Sequence, residues 1–528
     1  MKIKTGIIFL IYLLISIFIT WPIILHLKTY VIGILNHPGL QGQLFFEKVV
    51  LDNFQKRRLF SGFTDLVNYP YGQDLKNKIH TFFILYFTIP FSKILGIIPT
   101  YNLFVIFIFA LNGFMMYIFG RKFFKSKFIC FVLGFYYMVN TYTLFKITQG
   151  FLQKICIFWI PLCFLFLFRF YKSKKLSDLI YFNLFLYFCS FTYAPYAYYL
   201  ALFCFLLLSI FVLKNKFFMK PFLIQIVFFL ILVFIFGYYY FPVFKAGEYF
   251  STPHLEVLRL YKFYPYQGFD LPCLPLGISI IVLLFSLLSF LNKENRKSVI
   301  FLFLFFSFWI VISMGGILTI NGNEILLYGH RIFLPGYFIY KYFPFGRYLI
   351  FPIRVFPFIN ISLSLLMGYG LSLFSRRRLS VIIATVSFVV FYLGELFLLF
   401  PEIFPLRVSK FTVPPCYQRL KNHYAKAILV LPLQDIAHTN KHCMYASMND
   451  IKLVNAYKVK TAALKIPCKE SLSSEKQEFI TTLDKLEVNF ILIDKDALKK
   501  ADFSDIDWLE KFCNLFYSDS HSIIYRVP

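Results

Sequence analysis

The chain has 528 residues, of which 59% are hydrophobic, 22% are aromatic and only 15% are charged. Soluble globular domains carry roughly 25% charged residues, so this composition excludes an ordinary soluble protein and indicates a polytopic α-helical membrane protein. The formal charge of +28 does not indicate a nucleic-acid partner. The basic residues lie in loops beside apolar segments, where they mark membrane topology and attract the anionic head groups of a lipid bilayer.

Apolar segments of the length that a bilayer requires recur along residues 1–400. A hydrocarbon core about 30 Å thick needs about 20 residues of helix, and the sequence predicts about eleven spans, with a range of roughly ten to twelve. The first is expected to be a retained anchor, because no small-residue cleavage site precedes Trp21-Pro22. The predicted spans are 6–25, 101–120, 128–142, 155–170, 179–191, 196–213, 221–241, 274–291, 299–318, 349–374 and 379–400.

The apolar segment 79–97 is short and contains Pro90 and Lys93. If it spanned the membrane, Lys2 and the basic cluster at Arg121 would face opposite sides. We therefore expect a re-entrant or interfacial helix on the outer face. The alternative is that it spans and a neighbouring segment does not, since short helices cross a bundle when protein shields them.

Five short basic clusters are separated from one another by pairs of predicted spans. They lie at 121–127, 172–175, 214–220, 293–297 and 376–378. Short loops rich in Lys and Arg stay on the cytoplasmic side, so all five clusters should face the cytoplasm. The N terminus is then cytoplasmic, and the first large loop, residues 26–100, lies outside together with the chain after residue 400.

The composition changes after Pro401, where we predict a linker over 401–415 and a small extracytoplasmic α/β domain over 416–528. Residues 427–433, 453–457, 488–494 and 523–527 have the pattern of strands, and 475–486 and 505–512 that of helices. An oxidising compartment would permit disulfides in this domain, but spacing does not fix their pairing. The cysteines concerned are Cys416, Cys443, Cys468 and Cys513.

Short motifs occur in order along nearly the whole chain. They are Thr20-Trp21-Pro22, Asn68-Tyr-Pro-Tyr-Gly72, Thr100-Tyr101-Asn102, Arg347-Tyr-Leu-Ile-Phe-Pro-Ile-Arg354, Val413-Pro-Pro-Cys-Tyr417 and Val430-Leu-Pro-Leu433. With them the sequence resembles bacterial polytopic proteins of the GT-C glycosyltransferase superfamily, close to the RgtA/B/C/D-like and YfhO-like groups.

The resemblance implies a bacterial inner-membrane protein that moves a sugar from a polyprenyl-phosphate carrier to a lipid, glycan or protein acceptor on the outer face. In such enzymes the first outer loop supplies an acidic residue, usually in a Gly-Asp context, as general base or metal ligand. A carboxylate suits the first role because the acceptor hydroxyl must lose a proton. No cofactor is evident in the sequence, and a divalent cation is compatible with the resemblance.

The sequence departs from that family pattern where the acid is expected, because no carboxylate follows Gly33 until Glu47. Glu47 lies in the segment 44–54, whose apolar positions have helical spacing. A helix on the membrane surface could present Glu47 to the carrier or the acceptor as a catalytic residue. Alternatively, Glu47 belongs to the wet face of an interfacial helix. Asp52 and Asp65 are the other catalytic candidates.

Four cationic residues are candidates for binding the phosphate of a lipid carrier. Arg347 and Arg354 are seven residues apart at the mouth of a span and would form a forked phosphate site. Pro352 could break that helix, and anchoring at the interface is the alternative. Lys146 stands where the family carries histidines, and it either holds a phosphate or snorkels at a helix end. Arg331 could line the same vestibule.

No metal site is predicted. His438 and His442 have helical i,i+4 spacing, with Asp435 before them, but the residues between them match no hydrolase motif. We expect a polar loop there.

Two functional hypotheses remain open. A transferase agrees with the arginines, whereas the missing acid favours a non-catalytic relative that binds or helps translocate a lipid-linked glycan. A secondary transporter would show internal repeats and charged residues at mid-membrane depth, and the predicted spans show neither.

Overall fold

The chain forms two compact units in a computed structural model that describes residues 5–58, 61–75, 79–214, 219–245, 278–314, 316–320, 323–342, 352–375, 378–432, 436–455, 471–500 and 508–528. The first, which we call the helical unit, comprises Met1–Ile24, Phe104–Thr148 and Leu152–Arg407. The second, the mixed unit, comprises Leu25–Leu103, Gln149–Phe151 and Val408–Pro528.

The helical unit is built mainly of apolar helices. Two short strand pairs, Thr319–Ile320 with Asn323–Glu324 and Leu326–Leu327 with His330–Arg331, interrupt the series. The helix Ile97–Gly120 begins in the mixed unit and continues here. The other α-helices are Thr5–Ile19, Lys127–Met138, Thr141–Thr148, Leu152–Ile155, Trp159–Ser173, Leu176–Lys214, Met219–Lys245, Ile280–Leu288, Arg296–Ser313, Pro335–Tyr342, Phe356–Ser372 and Arg378–Leu399.

Among the described residues, six helical segments are long and apolar enough to cross a membrane. They are Ile97–Gly120, Lys127–Thr148, Leu152–Ser173, Leu176–Leu213, Lys293–Ser313 and Leu379–Leu399. Five shorter apolar helices accompany them: Thr5–Ile19, Phe83–Leu95, Met219–Phe234, Ile280–Leu291 and Phe356–Ser372. The polytopic helical architecture is confirmed, while the number of spans stays a prediction.

The predicted spans 179–191 and 196–213 form one long helical element, Leu176–Lys214, interrupted at Tyr193, where φ is −154° and ψ is 96°. Aromatic contacts with the helix Trp159–Ser173 show the direction of each half. The chain runs antiparallel to that helix before Tyr193 and parallel to it afterwards, so its direction reverses at Tyr193. The contacting pairs are Trp159–Phe188 and Phe166–Tyr181 before the interruption, and Phe164–Phe203 and Tyr171–Phe211 after it.

Buried amides join two helices of this unit. The side-chain oxygen of Asn140 accepts a hydrogen bond from the Thr143 N–H at 3.0 Å, which caps the helix Thr141–Thr148. Asn360 Nδ2 donates to the same oxygen at 2.9 Å, and the Tyr136 hydroxyl donates to Asn360 Oδ1 at 2.8 Å. Such bonds hold helices together where apolar contacts alone provide little specificity.

The mixed unit contains a five-stranded sheet. Its strands lie in the order Lys452–Leu453, Ala427–Leu431, Phe490–Asp494, Ser522–Arg526 and Asn514–Ser518. The first three are parallel and the last two pair antiparallel. Leu429 and Ile491 of the sheet pack in one buried core with Leu483. The helices of this tail are Pro415–Asn422, Ile436–Met448, Ser473–Lys485, Lys495–Lys500 and Leu509–Phe512.

Residues 25–103 belong to the same unit as this sheet. Strand Tyr30–Ile32 pairs antiparallel with Val408–Lys410, and Val67 forms a bridge with Leu453. A further strand pair joins Phe63–Thr64 to Gln73–Asp74. Two helices, Pro38–Gln55 and Ile79–Leu95, complete this part of the unit.

The helix Pro38–Gln55 does not have the exposed face that its pattern predicted. Polar residues such as Gln43 and Glu47 are buried along with the apolar ones. The reason is that both Ile79–Leu95 and Ile436–Met448 pack against it. Close contact is possible at Gly42, where an added Cβ would lie 3.3 Å from the side-chain nitrogen of Asn440.

Candidate functional site

Three cationic side chains of the helical unit lie together, and we call them the cation cluster: Lys146, Lys154 and Arg354. Lys146 is buried on the helix Thr141–Thr148, while Lys154 and Arg354 are partly exposed. Arg354 lies close enough to repel both lysines electrostatically, and Lys146 also repels Lys154. Basic groups this close disfavour one another's protonation, and a bound anion relieves that repulsion.

Aromatic side chains surround the cluster near the chain reversal. The Arg354 guanidinium carbon lies 5.6 Å from the ring centroid of Tyr193, and Lys146 Nζ lies 4.5 Å from that of Phe145. The hydroxyls of Tyr142 and Tyr196 are 2.7 Å apart, and the Tyr196 hydroxyl also lies 2.7 Å from the Lys154 carbonyl oxygen. Ring faces stabilise the cations, and the two hydroxyls form a hydrogen-bonded chain that ends on the Lys154 carbonyl oxygen.

The structure brings together two of the four predicted phosphate-binding residues, Lys146 and Arg354. Arg331 lies on the strand His330–Arg331 of a short hairpin, and Arg347 lies outside the described residues. Sequence reasoning missed Lys154, which directly precedes the predicted span 155–170. The sequence indicated it only as a second lysine, after Lys146, between the predicted spans 128–142 and 155–170.

Glu47, the first catalytic candidate, is buried in the mixed unit, with 2% of its surface exposed. The Ser92 hydroxyl donates a hydrogen bond to its Oε1 at 2.7 Å, and its Oε2 has no hydrogen-bond partner. Burial raises the pKa of Glu47 to about 7, against smaller opposing effects of the nearby Ser92 and Thr88 hydroxyls. The alternative that Glu47 lies on a wet helix face is wrong, because neighbouring helices cover it.

The other two catalytic candidates are paired with lysines. Asp52 Oδ1 lies 2.9 Å from Lys48 Nζ, and burial raises the pKa of Asp52 despite this ion pair. Asp65 lies 2.9 Å from Lys56 Nζ and 3.5 Å from Lys452 Nζ. Partial burial alone would raise the pKa of Asp65, but the two lysines together lower it.

A third group, which we call the His–His–Asp cluster, lies in the mixed unit: His438, His442 and Asp494. Their donor atoms lie within 4.8 Å of one another, an arrangement that could hold a metal ion. Both histidines project from the helix Ile436–Met448, so the predicted polar loop is wrong. Asp435 lies outside the described residues. The signal that sequence reasoning undervalued was the i,i+4 spacing, which places two side chains on one helix face.

Burial and hydrogen bonding together set the protonation of this cluster. Burial lowers the pKa of His442 to about 4, so its imidazole is neutral at pH 7. Burial alone would raise the pKa of Asp494, but hydrogen bonds from His438, His442 and Lys441 hold it well below its usual range. The cluster therefore combines a neutral imidazole with a carboxylate anion.

The cysteines of the described residues are free and buried. In the tail these are Cys416, Cys443 and Cys513, while Cys468 lies outside the described residues. Burial raises the pKa of Cys443 to about 12, which keeps this thiol protonated and unreactive.

Two solved structures resemble the whole chain. The apo oligosaccharyltransferase of Archaeoglobus fulgidus is 11% identical, with 100% of this chain and 75% of that chain covered at a TM-score of 0.50. The arabinofuranosyltransferase AftD from Mycobacteria is 11% identical, with 99% of this chain covered at a TM-score of 0.52. The match covers 40% of the AftD chain, so this chain is much shorter.

No protein-family model matches the sequence, and no curated protein matches it significantly. One of the two similar structures is an oligosaccharyltransferase and the other is an arabinofuranosyltransferase. At such low identity they show the fold alone. The chain is a polytopic membrane protein with a GT-C-like fold.

Proposed function

We propose that the protein is a membrane glycosyltransferase that moves a sugar from a polyprenyl-phosphate donor to a lipid, glycan or protein acceptor on the outer face. The observation that carries this proposal is the cation cluster of Lys146, Lys154 and Arg354 within a GT-C-like helical unit. The similar structures are named as transferases of oligosaccharide and of arabinofuranose. That agreement supports glycosyl transfer as the class of reaction.

The chemistry of sugar transfer explains why such a cluster is needed. As the anomeric carbon leaves the carrier, negative charge develops on the departing phosphate, and fixed cations lower the energy of that state. Arg354 can bind two phosphate oxygens at once, whereas a lysine acts as a point charge. Phosphate binding would also replace repulsion among the three cations by attraction.

The proposal retains Glu47 as the general base. A base with a pKa near 7 combines a large deprotonated fraction with useful basicity at neutral pH, and burial raises the pKa of Glu47 to about 7. Its Oε2 is buried without a hydrogen-bond partner, so it can take up a proton without losing a hydrogen bond. Asp52 and Asp65 are weaker candidates because both are ion-paired.

A non-catalytic function in binding a lipid-linked glycan is the second candidate. The observation that favours it is the small exposed fraction of Glu47, only 2%, together with the lysine partners of Asp52 and Asp65. In that function the cation cluster would hold the carrier phosphate without any transfer.

Phosphate recognition is tested with Lys146→Gln and Arg354→Gln in the full-length protein in detergent. Native mass spectrometry measures the affinity for polyprenyl phosphate, and the exposed Lys122→Gln is the control. We expect each cluster variant to bind about 10- to 100-fold more weakly, because a hydrogen bond to a charged group contributes about 1.5–3 kcal/mol. Affinity equal to the parent in both cluster variants would contradict the proposal.

Glu47→Gln separates the two candidate functions. A transferase that uses Glu47 as its base should keep carrier binding and lose about 100-fold or more in sugar turnover. If turnover survives in Glu47→Gln but is lost in Asp52→Asn or Asp65→Asn, the base is one of those aspartates. A parent protein that binds the carrier phosphate and transfers no sugar from any polyprenyl-linked donor would be the non-catalytic relative.

A further inference from the structure

Three donor atoms of the His–His–Asp cluster converge on one point in the mixed unit. His438 Nε2 and His442 Nε2 are 3.1 Å apart. Asp494 Oδ2 lies 3.1 Å from the first and 3.2 Å from the second. We propose that His438, His442 and Asp494 bind a divalent transition-metal ion of the Zn²⁺ class, with a fourth position for water. This inference does not rest on the proposed glycosyl transfer.

Hydrogen bonds alone cannot account for the triangle of donor atoms. An imidazole Nε2 carries either one proton or one lone pair in the plane of the ring, so it takes part in one well-aligned hydrogen bond. Two such nitrogens can satisfy at most two of the three sides. The remaining close contact is unfavourable unless a cation lies between the atoms and accepts a lone pair from each.

The size of the triangle matches a tetrahedral zinc site. Zinc lies about 2.0–2.1 Å from histidine nitrogen and carboxylate oxygen, and a tetrahedron of that size has ligand atoms about 3.3–3.4 Å apart. The observed separations are 3.1, 3.1 and 3.2 Å. An ion can therefore enter with ligand movements of only a few tenths of an ångström.

Neighbouring groups orient the ligands, as they do around established metal sites. The Tyr417 hydroxyl lies 2.6 Å from His442 Nδ1, which directs Nε2 of the same ring into the cluster. Asp494 Oδ1 accepts hydrogen bonds from the backbone N–H groups of Asp496 and Ala497 at 3.0 and 3.1 Å, and so caps the helix Lys495–Lys500. The other oxygen, Oδ2, is left to face the histidines.

The ammonium group of Lys441 would compete with a metal ion for Asp494 Oδ2. Its Nζ lies 2.9 Å from Asp494 Oδ2, and 35% of its side chain is exposed, so the ammonium can move into solvent. A metal ion on the same oxygen would repel this ammonium. Removing the charge of Lys441 should therefore strengthen metal binding, which a purely structural hydrogen-bonded cluster would not predict.

The donor set selects the class of metal. Two imidazoles with one carboxylate suit Zn²⁺ and its neighbours among the transition metals, whereas Ca²⁺ and Mg²⁺ prefer oxygen ligands. Three protein ligands leave one tetrahedral position open, as in sites that bind water or a substrate. His438 is the most exposed ligand, with 11% of its side chain accessible, so the open position is expected near it.

The test uses the full-length protein in detergent, without a polyhistidine tag and after removal of metals with a chelator. Zn²⁺ is titrated by calorimetry, and Co²⁺ is added separately because tetrahedral Co²⁺ absorbs strongly in the visible range. We expect one Zn²⁺ per chain and a tetrahedral Co²⁺ spectrum. His442→Gln and Asp494→Asn should weaken Zn²⁺ binding about 100-fold or more, and Lys441→Gln should strengthen it about 10-fold. Asp494→Asn preserves a side-chain oxygen for the helix cap, and circular dichroism verifies folding.

The control is His521→Gln, an exposed histidine of the same unit that pairs with Asp496. Its Zn²⁺ stoichiometry and affinity should equal those of the parent. If folded His442→Gln and Asp494→Asn proteins bind Zn²⁺ as tightly as the parent, or if the parent shows no tetrahedral Co²⁺ spectrum, the site does not exist.

Discussion

Glu47 is a carboxylate in the interior of the mixed unit, and its ionisation must affect stability. Its hydrogen bond from Ser92 survives protonation, but the charged form is poorly solvated because the side chain is buried. The folded protein therefore holds this proton to a higher pH than the unfolded chain does. Stability from this residue is fully present below pH 4.5 and is lost as the pH rises through about 7.

We predict that Glu47→Gln abolishes that loss. A glutamine keeps an oxygen to accept the Ser92 hydrogen bond and carries no charge. A pKa rise from 4.5 to about 7 corresponds to about 3 kcal/mol at alkaline pH. Thermal unfolding in detergent, followed by tryptophan fluorescence at pH 5 and pH 8.5, should show that the parent loses stability relative to the variant. Parallel pH profiles would contradict this prediction.

Asp65→Asn is the matched comparison, because the pKa of Asp65 is shifted in the opposite direction from that of Glu47. The lysines at Asp65 lower its pKa in the folded protein, so the aspartate contributes stability above its ordinary pKa and loses it under acidic conditions. The variant should be slightly less stable than the parent at pH 8.5. The effect should be small, because exposed ion pairs are screened by solvent.

The proximity of two candidate residues was predictable in part. Lys146 was chosen because it stands where the family carries histidines and Arg354 because it follows Arg347 by seven residues, and the structure places both in the cation cluster. Their role in phosphate binding stays a prediction. The burial of Glu47 was not predictable, since the helix Ile79–Leu95, which carries its hydrogen-bond partner Ser92, is distant in sequence. Separation in sequence also explains why the His–His–Asp cluster was not predicted. Its third member, Asp494, ends a strand far along the chain from the two histidines.

Helices of the membrane part could be located from apolar composition, but their contacts depend on small residues that composition does not reveal. Gly113 and Gly134 bring the helices Ile97–Gly120 and Lys127–Met138 together beside Tyr12. A Cβ at Gly134 would clash with the Tyr12 hydroxyl and the Gly113 carbonyl oxygen. The Tyr12 hydroxyl donates a hydrogen bond to the Phe131 carbonyl at 2.8 Å, which fixes its position. Close backbone approach of this kind is common between membrane helices.

We predict that Gly134→Ala destabilises the protein by about 1–3 kcal/mol, because an overpacked contact forces the backbone apart. The control is Gly394→Ala, since nothing lies within 4 Å of a Cβ at that helical position. Alanine has a higher helix propensity than glycine, so the control should be neutral or slightly stabilising. Thermal unfolding in detergent compares the two variants. Equal melting temperatures would show that the helices separate without cost.

The interruption at Tyr193 was predictable from the apolar pattern of the sequence. The sequence predicted two spans with a break between residues 191 and 196, and the non-helical residue lies there. Pro195 contributes, because a proline lacks the N–H that continues a helix. The position of Tyr193 beside Arg354 was not predictable, since it requires the distant helix Pro352–Val355 to approach.

For the whole molecule, we predict that Lys125 faces the cytoplasm and Ser520 the outside. The basis is the equal parity of the five basic clusters. Single cysteines at these exposed positions are treated in intact cells with an impermeant maleimide, in a background where Cys273 and Cys468 are replaced by serine. The cysteine at 520 should react and the one at 125 should react only after lysis. The reverse pattern would invert the topology.

The organisation of the mixed unit was beyond sequence reasoning. Composition separates an apolar region from a polar tail at about residue 400, but it cannot show that residues 25–103 and 408–528 share one unit. Strand Tyr30–Ile32 is too short to be recognised, and its partner Val408–Lys410 lies in what was predicted to be a linker.

That pairing has a consequence for biosynthesis. During translation, residues 25–103 emerge early, yet their strand partners at Val408–Lys410 and Leu453 are made only after the apolar helices have been inserted. Until then the edge of Tyr30–Ile32 offers unpaired backbone groups that can associate with other chains. The membrane helices are therefore inserted before the first loop can complete its fold.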